Sequence, residues 1–296
     1  IGGYTLNRAF KSYRQPGSSI KPLIVYTPAL ENGYTPDTTV NDAPIEGGPE
    51  NVDGKYLGQL SLRTAVEKSR NTVAWSIFNK LTPEKGLSYL NKMGFQKITS
   101  KDEVPAASIG GLSNGVSPLE MAMGSSTIEN DGNMREPTCV IKITNSAGKV
   151  LYQTKQEETS IYKRDAARTM TDILKGVMTN GTAKGYALSD MSCAGKTGTT
   201  NDQKDGWFVG YTRYYTTSVW VGYDNPKKVK GLSGATIPLY IWHDFMQDLH
   251  TGMPNQEFLP PLGDAEIPDN GAGQSNQPAA DNGTGQATQP AADNGA

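Results

Sequence analysis

Apolar residues recur every three or four positions along much of the chain, which is the spacing of helices that bury one face. The clearest case runs from residue 61 to residue 81, with a break in the period near Ser69. Pro16 and Gly17 interrupt any regular element, and the apolar spacing of residues 18–30 after them predicts a second helix. Pro22 is tolerated in this helix because it falls in the first turn. Further helices are predicted over residues 83–93, 118–128, 165–178 and 238–249.

Runs rich in β-branched and aromatic residues predict the strands. Residues 140–144 and 149–153 flank the turn Asn-Ser-Ala-Gly, which is a hairpin pattern. Three more strands are predicted over residues 191–200, 206–211 and 216–223, and the last two are expected to pair antiparallel. Helices come first, and an antiparallel hairpin with a closing helix comes last. This order predicts an α+β fold rather than alternating βαβ units.

The C-terminal end has a different composition from the rest of the chain. From about residue 263 onward it consists of small and polar residues, with Ile267 as its only large apolar residue, and residues 269–280 are followed by a near copy at 281–292. Such a segment buries too little apolar area to offset the entropy lost on ordering. We therefore predict one folded domain over residues 1–262 and a disordered low-complexity tail over residues 263–296.

Overall composition narrows the function only slightly. The chain has 296 residues, of which 36% are hydrophobic and 20% charged, as in a soluble globular protein. Lys and Arg number 28 against 30 Asp and Glu, so the net charge of −2 argues against a nucleic-acid binder. No stretch approaches the ~20 apolar residues of a membrane-spanning helix. Because the chain begins at Ile1 without Met, we expect a fragment whose membrane anchor lies in the missing part.

The cysteines and histidines predict neither a metal site nor a disulfide framework. Cys139 and Cys193 are far apart in the sequence. His243 lies in the last predicted helix and His250 directly follows it, with no further ligand at metal-binding spacing. We expect no metal ion and no organic cofactor.

The first candidate motif is Ser18-Ser-Ile-Lys21 at the start of a predicted helix. A Ser and a Lys three positions apart share one helix face, so the amine can take the proton of the hydroxyl. The helix dipole also favours the developing alkoxide. Taken alone the pattern is weak, because a Ser and a Lys at a helix start are usually a cap and a solvated amine.

Two further motifs follow in the chain. Ser69 and Asn71 are two positions apart in the break between helical segments, and a polar triplet that interrupts a helix would look the same. Lys196-Thr-Gly-Thr199 lies on a predicted strand, where Gly198 allows a substrate backbone to approach closely. An edge strand with a glycine bulge would also explain it. The order S-x-x-K, S-x-N, K-T-G is typical of penicillin-binding proteins and class A β-lactamases.

The segments around these motifs resemble the transpeptidase domain of class A penicillin-binding proteins. The likeness runs from Ile1 to about His250, with Arg70 in the middle of the second motif. It is carried by RQPGSSIKP at 14–22, AVEKSRN at 65–71, GVSPLEM at 115–121, NGTA at 180–183, AGKTGTTN at 194–201, DGWFVGY at 205–211 and VWVGYD at 219–224. It implies the penicillin-binding and β-lactamase-like fold, an antiparallel sheet packed by helices. The first strands of that sheet are expected to precede this chain, which would lower its stability.

The resemblance also implies a role for each motif residue. Ser18 would attack the penultimate D-Ala carbonyl, with Lys21 as its base. Ser69 would pass a proton to the leaving amine, and Asn71 would bind the substrate amide and hold Lys21. The substrate carboxylate would be held by Lys196, Thr197 and Thr199 along the strand containing Gly198. The backbone N–H groups of Ser18 and Thr199 would form the oxyanion hole.

The implied partners are peptidoglycan stem peptides ending in D-Ala-D-Ala and β-lactam antibiotics, with no nucleic acid. Cell-wall synthesis or division proteins are further candidate partners. The family places a glycosyltransferase domain and a membrane anchor upstream, so the parent protein is expected at the extracytoplasmic face of the membrane. The polar tail suggests a Gram-positive source.

Three alternatives remain open. A D,D-carboxypeptidase or β-lactamase would resolve the acyl-enzyme with water, although no region resembles the deacylating Glu loop of class A β-lactamases. A β-lactam sensor would acylate without turnover. A binding module with accidental motifs would not acylate at all.

Overall fold

The computed structural model describes residues 5–263. The predicted tail over residues 263–296 lies almost entirely outside this range, so the domain division stays a prediction. Within the described residues the α-helices are α1 (Arg8–Lys11), α2 (Thr27–Glu31), α3 (Leu62–Glu67), α4 (Asn71–Leu81), α5 (Pro83–Lys92), α6 (Pro118–Glu129), α7 (Arg164–Thr179) and α8 (Ile237–Leu249). The strands are β1 (Thr39–Asp42), β2 (Gly58–Ser61), β3 (Asn133–Arg135), β4 (Lys142–Thr144), β5 (Val150–Gln153), β6 (Glu158–Ser160), β7 (Ala194–Thr199), β8 (Asp205–Tyr211) and β9 (Thr216–Gly222).

The largest sheet among the described residues is antiparallel, with strand order β7-β8-β9. Alternate residues of β8 point to opposite faces. Phe208 packs on Trp242 of α8, with their ring centroids 4.9 Å apart. The Tyr211 hydroxyl lies 3.0 Å from the Thr171 hydroxyl of α7 on the other face. The sheet is therefore covered by helices on both sides, and the predicted α+β class is confirmed.

The segment predicted as one helix over residues 18–30 consists of three kinds of helix. A 3-10 helix over Gly17–Ile20 continues as a π-helix over Pro22–Tyr26 and then as α2. Pro22 and Pro28 have no backbone N–H to donate, so a regular α-helical ladder cannot run through the segment. The whole π-helix is buried, and the Tyr162 hydroxyl donates to Leu23 O at 2.7 Å. This central segment carries Ser18 and Lys21 into the middle of the fold.

Several small strands have no clear signal in the sequence. β1 pairs with β2, and β3 pairs with β6, in two separate two-stranded sheets. Their three or four residues are too few to show the alternation of a strand. The predicted hairpin over residues 140–153 is present as β4 and β5, both exposed.

Candidate active site

Ser18 sits where the 3-10 helix meets strand β7. Gly17, with φ 55°, starts this helix, and a Cβ at Gly17 would lie 2.6 Å from Thr199 O and 2.9 Å from Thr199 N. A Cβ at Gly198 would lie 2.3 Å from Pro16 O. The two glycines therefore let the helix start and the strand touch backbone to backbone. The close approach predicted at Gly198 is made, on this side, by the protein's own chain.

Lys21, three positions after Ser18, is fully buried. Its Nζ donates to Asn71 Oδ1 at 2.8 Å, to Ser69 O at 3.0 Å and to Arg70 O at 3.4 Å. Burial, followed by the charges of Lys196 and Arg70, lowers the pKa of Lys21 well below its usual value. The lysine therefore loses its proton more readily than a lysine in water.

Ser69 occupies the break between α3 and α4 with a positive φ of 56°. This conformation is uncommon outside glycine and is often found at functional sites. It turns the Ser69 carbonyl towards Lys21 and the hydroxyl towards Lys196, whose Nζ donates to Ser69 Oγ at 2.8 Å. The break in the helical period near Ser69 was visible in the sequence, and its conformation joins the two lysines through one residue.

Lys196 points inward from β7 and is buried. Besides Ser69, its Nζ donates to Thr197 O at 3.0 Å. Burial lowers the pKa of Lys196 to about 7. The side chains of Thr197 and Thr199 are also held: Thr197 Oγ1 lies 2.7 Å from Thr182 Oγ1, and Thr199 Oγ1 accepts from Gly234 N at 2.9 Å.

An open cleft of about 440 Å³ lies in front of these groups. Ser18, Asn71 and Thr199 reach its floor, while Lys21 and Lys196 are buried behind it. Its walls are formed by Pro49, Glu50, Asn51, Val52, Ile109, Thr200, Asn201, Asp202, Gln203, Leu232 and Ser233. The predicted residues of all three motifs are thus brought together around one cleft.

Arg70, whose role the sequence left open, points away from the cleft. Its Nε donates to Asp42 Oδ2 at 2.7 Å and its Nη1 lies 3.0 Å from Asp53 Oδ2. It also donates to Lys55 O. Arg70 therefore ties the β1–β2 region, including the wall of the cleft, to the Ser69 turn.

We expect Arg70→Met to destabilise the fold strongly, because it leaves the fully buried Asp42 carboxylate without its cation. Loss of one partner of a buried pair typically costs about 3–5 kcal/mol, and the other donors to Asp42 place this case near the lower end. Urea unfolding followed by circular dichroism measures the change. Arg8→Met is the control, because the Arg8–Asp224 pair is exposed and its loss should leave stability unchanged. Equal stabilities for the two variants would contradict the expectation.

Thr182 and Asn51 are residues of the site that the sequence did not predict. Thr182 contacts Thr197, and its only signal was its place in the NGTA segment at 180–183. Asn51 contacts the backbone of Asn71, and no pattern around it indicated a contact 20 residues away. Within residues 5–263, no group of three or more His, Cys, Asp or Glu side chains is placed to hold a metal ion. No helix in this range is long and apolar enough to cross a bilayer.

A serine, two buried lysines and an amide thus lie around one cleft beside an antiparallel strand, which is the motif set typical of penicillin-binding proteins and class A β-lactamases. The family described as "Penicillin binding protein transpeptidase domain" matches residues 2–246. The chain belongs to this family. The resemblance to the transpeptidase domain of class A penicillin-binding proteins is confirmed, whereas a Gram-positive source stays a prediction.

Individual relatives agree with this assignment. Penicillin-binding protein 4 of Bacillus subtilis (strain 168) is 36% identical over 248 residues, which cover 82% of this chain and 40% of that protein. Penicillin-binding protein 1A of Aquifex aeolicus is 36% identical over 266 residues, covering 86% of this chain and 36% of that protein. The chain thus spans well under half the length of these relatives.

Solved structures show the same fold. Penicillin-binding protein 1A from Haemophilus influenzae matches with a TM-score of 0.76 and 26% identity, over 86% of this chain and 45% of that one. The PonA1 protein from Mycobacterium tuberculosis in complex with penicillin V matches with a TM-score of 0.78 and 23% identity, over 88% of this chain and 75% of that one. The predicted penicillin-binding transpeptidase fold is confirmed.

Proposed function

We propose that this chain is a serine-type D,D-transpeptidase that acts on peptidoglycan stem peptides ending in D-Ala-D-Ala. The observation that carries the proposal is the joining of three motifs at one cleft: Lys21 Nζ at 2.8 Å from Asn71 Oδ1, and Lys196 Nζ at 2.8 Å from Ser69 Oγ. Groups from residues 21, 71 and 196 do not converge in this way by helix or strand geometry alone.

In the first half-reaction, Ser18 Oγ forms a bond to the carbonyl carbon of the penultimate D-Ala while its proton passes to neutral Lys21. The C–N bond to the terminal D-Ala then breaks, and the leaving nitrogen receives a proton through Ser69 from the lysines. The depressed pKa of Lys21, caused by burial, Lys196 and Arg70, supports its use as a base near neutral pH. The products are an acyl-enzyme ester and free D-Ala.

In the second half-reaction, the amine of an acceptor stem peptide attacks the ester carbon and loses a proton to the same groups. The new amide is released and Ser18 regains its hydrogen. The two amide groups proposed as the oxyanion hole belong to Ser18 and Thr199. The close packing of Gly17 on Thr199 N supports this role, because it brings both backbone segments to one side of the cleft.

The terminal carboxylate of the substrate is held beside Lys196, Thr197 and Thr199, and Asn71, at the floor of the cleft, binds the substrate amide. The strand carrying Gly198 pairs with the stem peptide by strand addition. A β-lactam, which also carries a carboxylate and an acyl carbon, enters the same site and acylates Ser18. We further propose that the parent protein works at the extracytoplasmic face of the membrane, alongside other cell-wall synthesis or division proteins.

The test combines a D-Ala-D-Ala peptide, an amine acceptor and the chain, and follows D-Ala release and the cross-linked amide by mass spectrometry. A transpeptidase gives both products. A carboxypeptidase releases D-Ala and gives only the hydrolysed peptide. Intact-mass analysis after benzylpenicillin treatment separates the other classes. A β-lactamase hydrolyses its adduct and returns to the mass of the free protein. A sensor keeps the adduct and releases no D-Ala, and a binding module forms no adduct. Any result but the first overturns the transpeptidase proposal.

The charge of Lys196 provides a separate prediction about pH. With its pKa lowered to about 7 by burial, Lys196 is protonated below that pH and neutral above it. Carboxylate binding should therefore weaken as pH rises through this range. The quantity compared is the second-order rate constant of acylation, which includes binding. We expect its ratio for benzylpenicillin and the methyl ester of benzylpenicillin to fall by at least about tenfold between roughly pH 6 and pH 9. Both compounds need Lys21 for acylation, so the effect of pH on Lys21 cancels in the ratio. A ratio that does not change with pH would contradict the role of Lys196 in binding the carboxylate.

A further inference from the structure

Every polar group of Asn71 outside the helix ladder has one defined partner. Its Oδ1 accepts from Lys21 Nζ at 2.8 Å, its Nδ2 donates to Glu50 O at 2.8 Å and its backbone N–H donates to Asn51 Oδ1 at 2.7 Å. If the Asn71 amide were rotated by 180°, its Nδ2 would face the Nζ of Lys21, which is also a donor, and its Oδ1 would face Glu50 O, which is also an acceptor. The orientation of Asn71 is therefore fixed by residues 50 and 51 on the wall of the cleft.

Asn51 is itself fixed by the fold. It is buried, and its Nδ2 donates to Asp42 Oδ1 at 2.6 Å and to Lys55 O at 2.9 Å. With Nδ2 held by two acceptors, Oδ1 has to face the N–H of Asn71. The side chain of Asn51 thus links Asp42 to the first residue of α4 and fixes the position of one relative to the other.

Asp42 is the anchor of this chain of contacts. Its carboxylate is fully buried and accepts from Thr72 Oγ1 at 2.5 Å, from Leu57 N at 2.9 Å and from Arg70 Nε at 2.7 Å, besides Asn51. Burial raises the pKa of Asp42, but these hydrogen bonds outweigh it and the pKa is lowered overall. The carboxylate is therefore a charged acceptor with four donors around it, which is a rigid arrangement.

We propose that Asn51 is a positioning residue for the acylation step: it connects buried Asp42 to Asn71 and thereby holds the Asn71 amide where it receives Lys21. The inference rests on the proposed function, because it concerns the lysine that takes the proton of Ser18. Asn51 acts through Asn71 and does not itself contact the reacting atoms.

The geometry explains why such a residue is needed. Asn71 begins α4 directly after the strained Ser69 turn, and Arg70 has no side-chain cap for the helix start. The first backbone N–H groups of a helix have no hydrogen-bond acceptor within the helix. In α4, Asn51 Oδ1 supplies the acceptor for the first of them, the N–H of Asn71. Without it, the helix start and the Asn71 amide can shift, and a displacement of about 1 Å near reacting groups can cost on the order of 100-fold in rate.

The test measures acylation by a fluorescent penicillin at several concentrations, which separates the rate constant k2 of the chemical step from the dissociation constant K of the initial complex. For Asn51→Ala we expect k2 to fall roughly 10- to 100-fold while K changes by less than about threefold. A residue that only shaped the wall of the cleft would change K instead.

Asn41→Ala is the matched control. Asn41 directly precedes Asp42 in β1, but its side chain is exposed and does not line the cleft. Its removal leaves the contacts between Asp42, Asn51 and Asn71 in place, so k2 should stay within about threefold of wild type. The rate constants are read only from molecules that fold and acylate, so a partly unfolded preparation does not lower k2.

The outcomes separate this inference from the proposed function. If the unaltered chain forms no adduct, the proposed function fails. If it acylates and Asn51→Ala keeps k2 within about threefold, or changes K as much as k2, only this inference is overturned. Should Asn51→Ala fail to fold, Asn51→Ser decides, because its hydroxyl can donate to the Asp42 carboxylate but is too short to reach the N–H of Asn71 as well. A k2 about tenfold or more below that of wild type then supports the proposal, and a k2 within about threefold of wild type overturns it.

Discussion

Ser18→Ala should abolish the covalent adduct with benzylpenicillin. The substitution removes the only atom of residue 18 that can form the ester, while the short 3-10 helix and its contact with Thr199 depend on the backbone and remain. Removal of a serine nucleophile lowers the rate by roughly 10⁶-fold in a serine protease, which would place acylation below detection here.

Ser19→Ala is the matched control, because the two serines are neighbours with different surroundings. Ser19 is buried and its hydroxyl donates to Pro16 O at 2.7 Å, whereas Ser18 reaches the cleft. Ser19→Ala should therefore form the adduct and lose about 1 kcal/mol of stability from the missing hydrogen bond. Intact-protein mass spectrometry checks both variants. An adduct on Ser18→Ala, or its absence on Ser19→Ala in a folded protein, would contradict the assignment of the nucleophile.

The long elements of the fold could be predicted because their sequence pattern is set by what they bury. α7 is an example: its buried residues recur at helical spacing, and the predicted range 165–178 differs from the observed Arg164–Thr179 by one residue at each end. β8 and β9 were predicted from their β-branched and aromatic residues. In both cases one local period carries the information.

The elements that differ from prediction depend on contacts far apart in the sequence. β1 forms because it pairs with β2 and because Asp42 at its end is held by Arg70, 28 residues later. Nothing within β1 itself indicates this. The change from 3-10 to π to α-helix over residues 17–31 likewise depends on two prolines and on the burial of most of the segment. Local propensity predicted a helix but not its kind.

The residues of the active site also divide into those that a sequence pattern identifies and those that depend on contacts with distant residues. Its motif residues were predicted because their order matched a known set, and the structure places them around one cleft. Asn51 and Asp42 were missed because a buried polar residue that supports another has no periodicity and no fixed spacing from the group it holds. The Ser69 break was visible, but the positive φ that points its carbonyl at Lys21 was not.

Lys21→Met should lower the acylation rate constant by about 10²- to 10⁴-fold, the range over which general bases contribute. Methionine has a similar length and fills the same buried space without a proton acceptor. The variant leaves Ser69 O and Asn71 Oδ1 without their donor, but it also removes the cost of burying an amine, so we expect a folded protein. Lys68→Met is the control, because Lys68 is exposed and directly precedes Ser69.

The pH profile distinguishes a base from a lysine that only supports the fold. A base must be neutral, so the rate in the unaltered chain should rise as pH increases through the pKa of Lys21. Burial, Lys196 and Arg70 hold that pKa well below its usual value, which places the rise below the range of an ordinary lysine. In Lys21→Met this rise should disappear while Lys68→Met keeps it. If Lys21→Met only scaled the whole profile down and left its rise in place, another group would have to take the proton of Ser18.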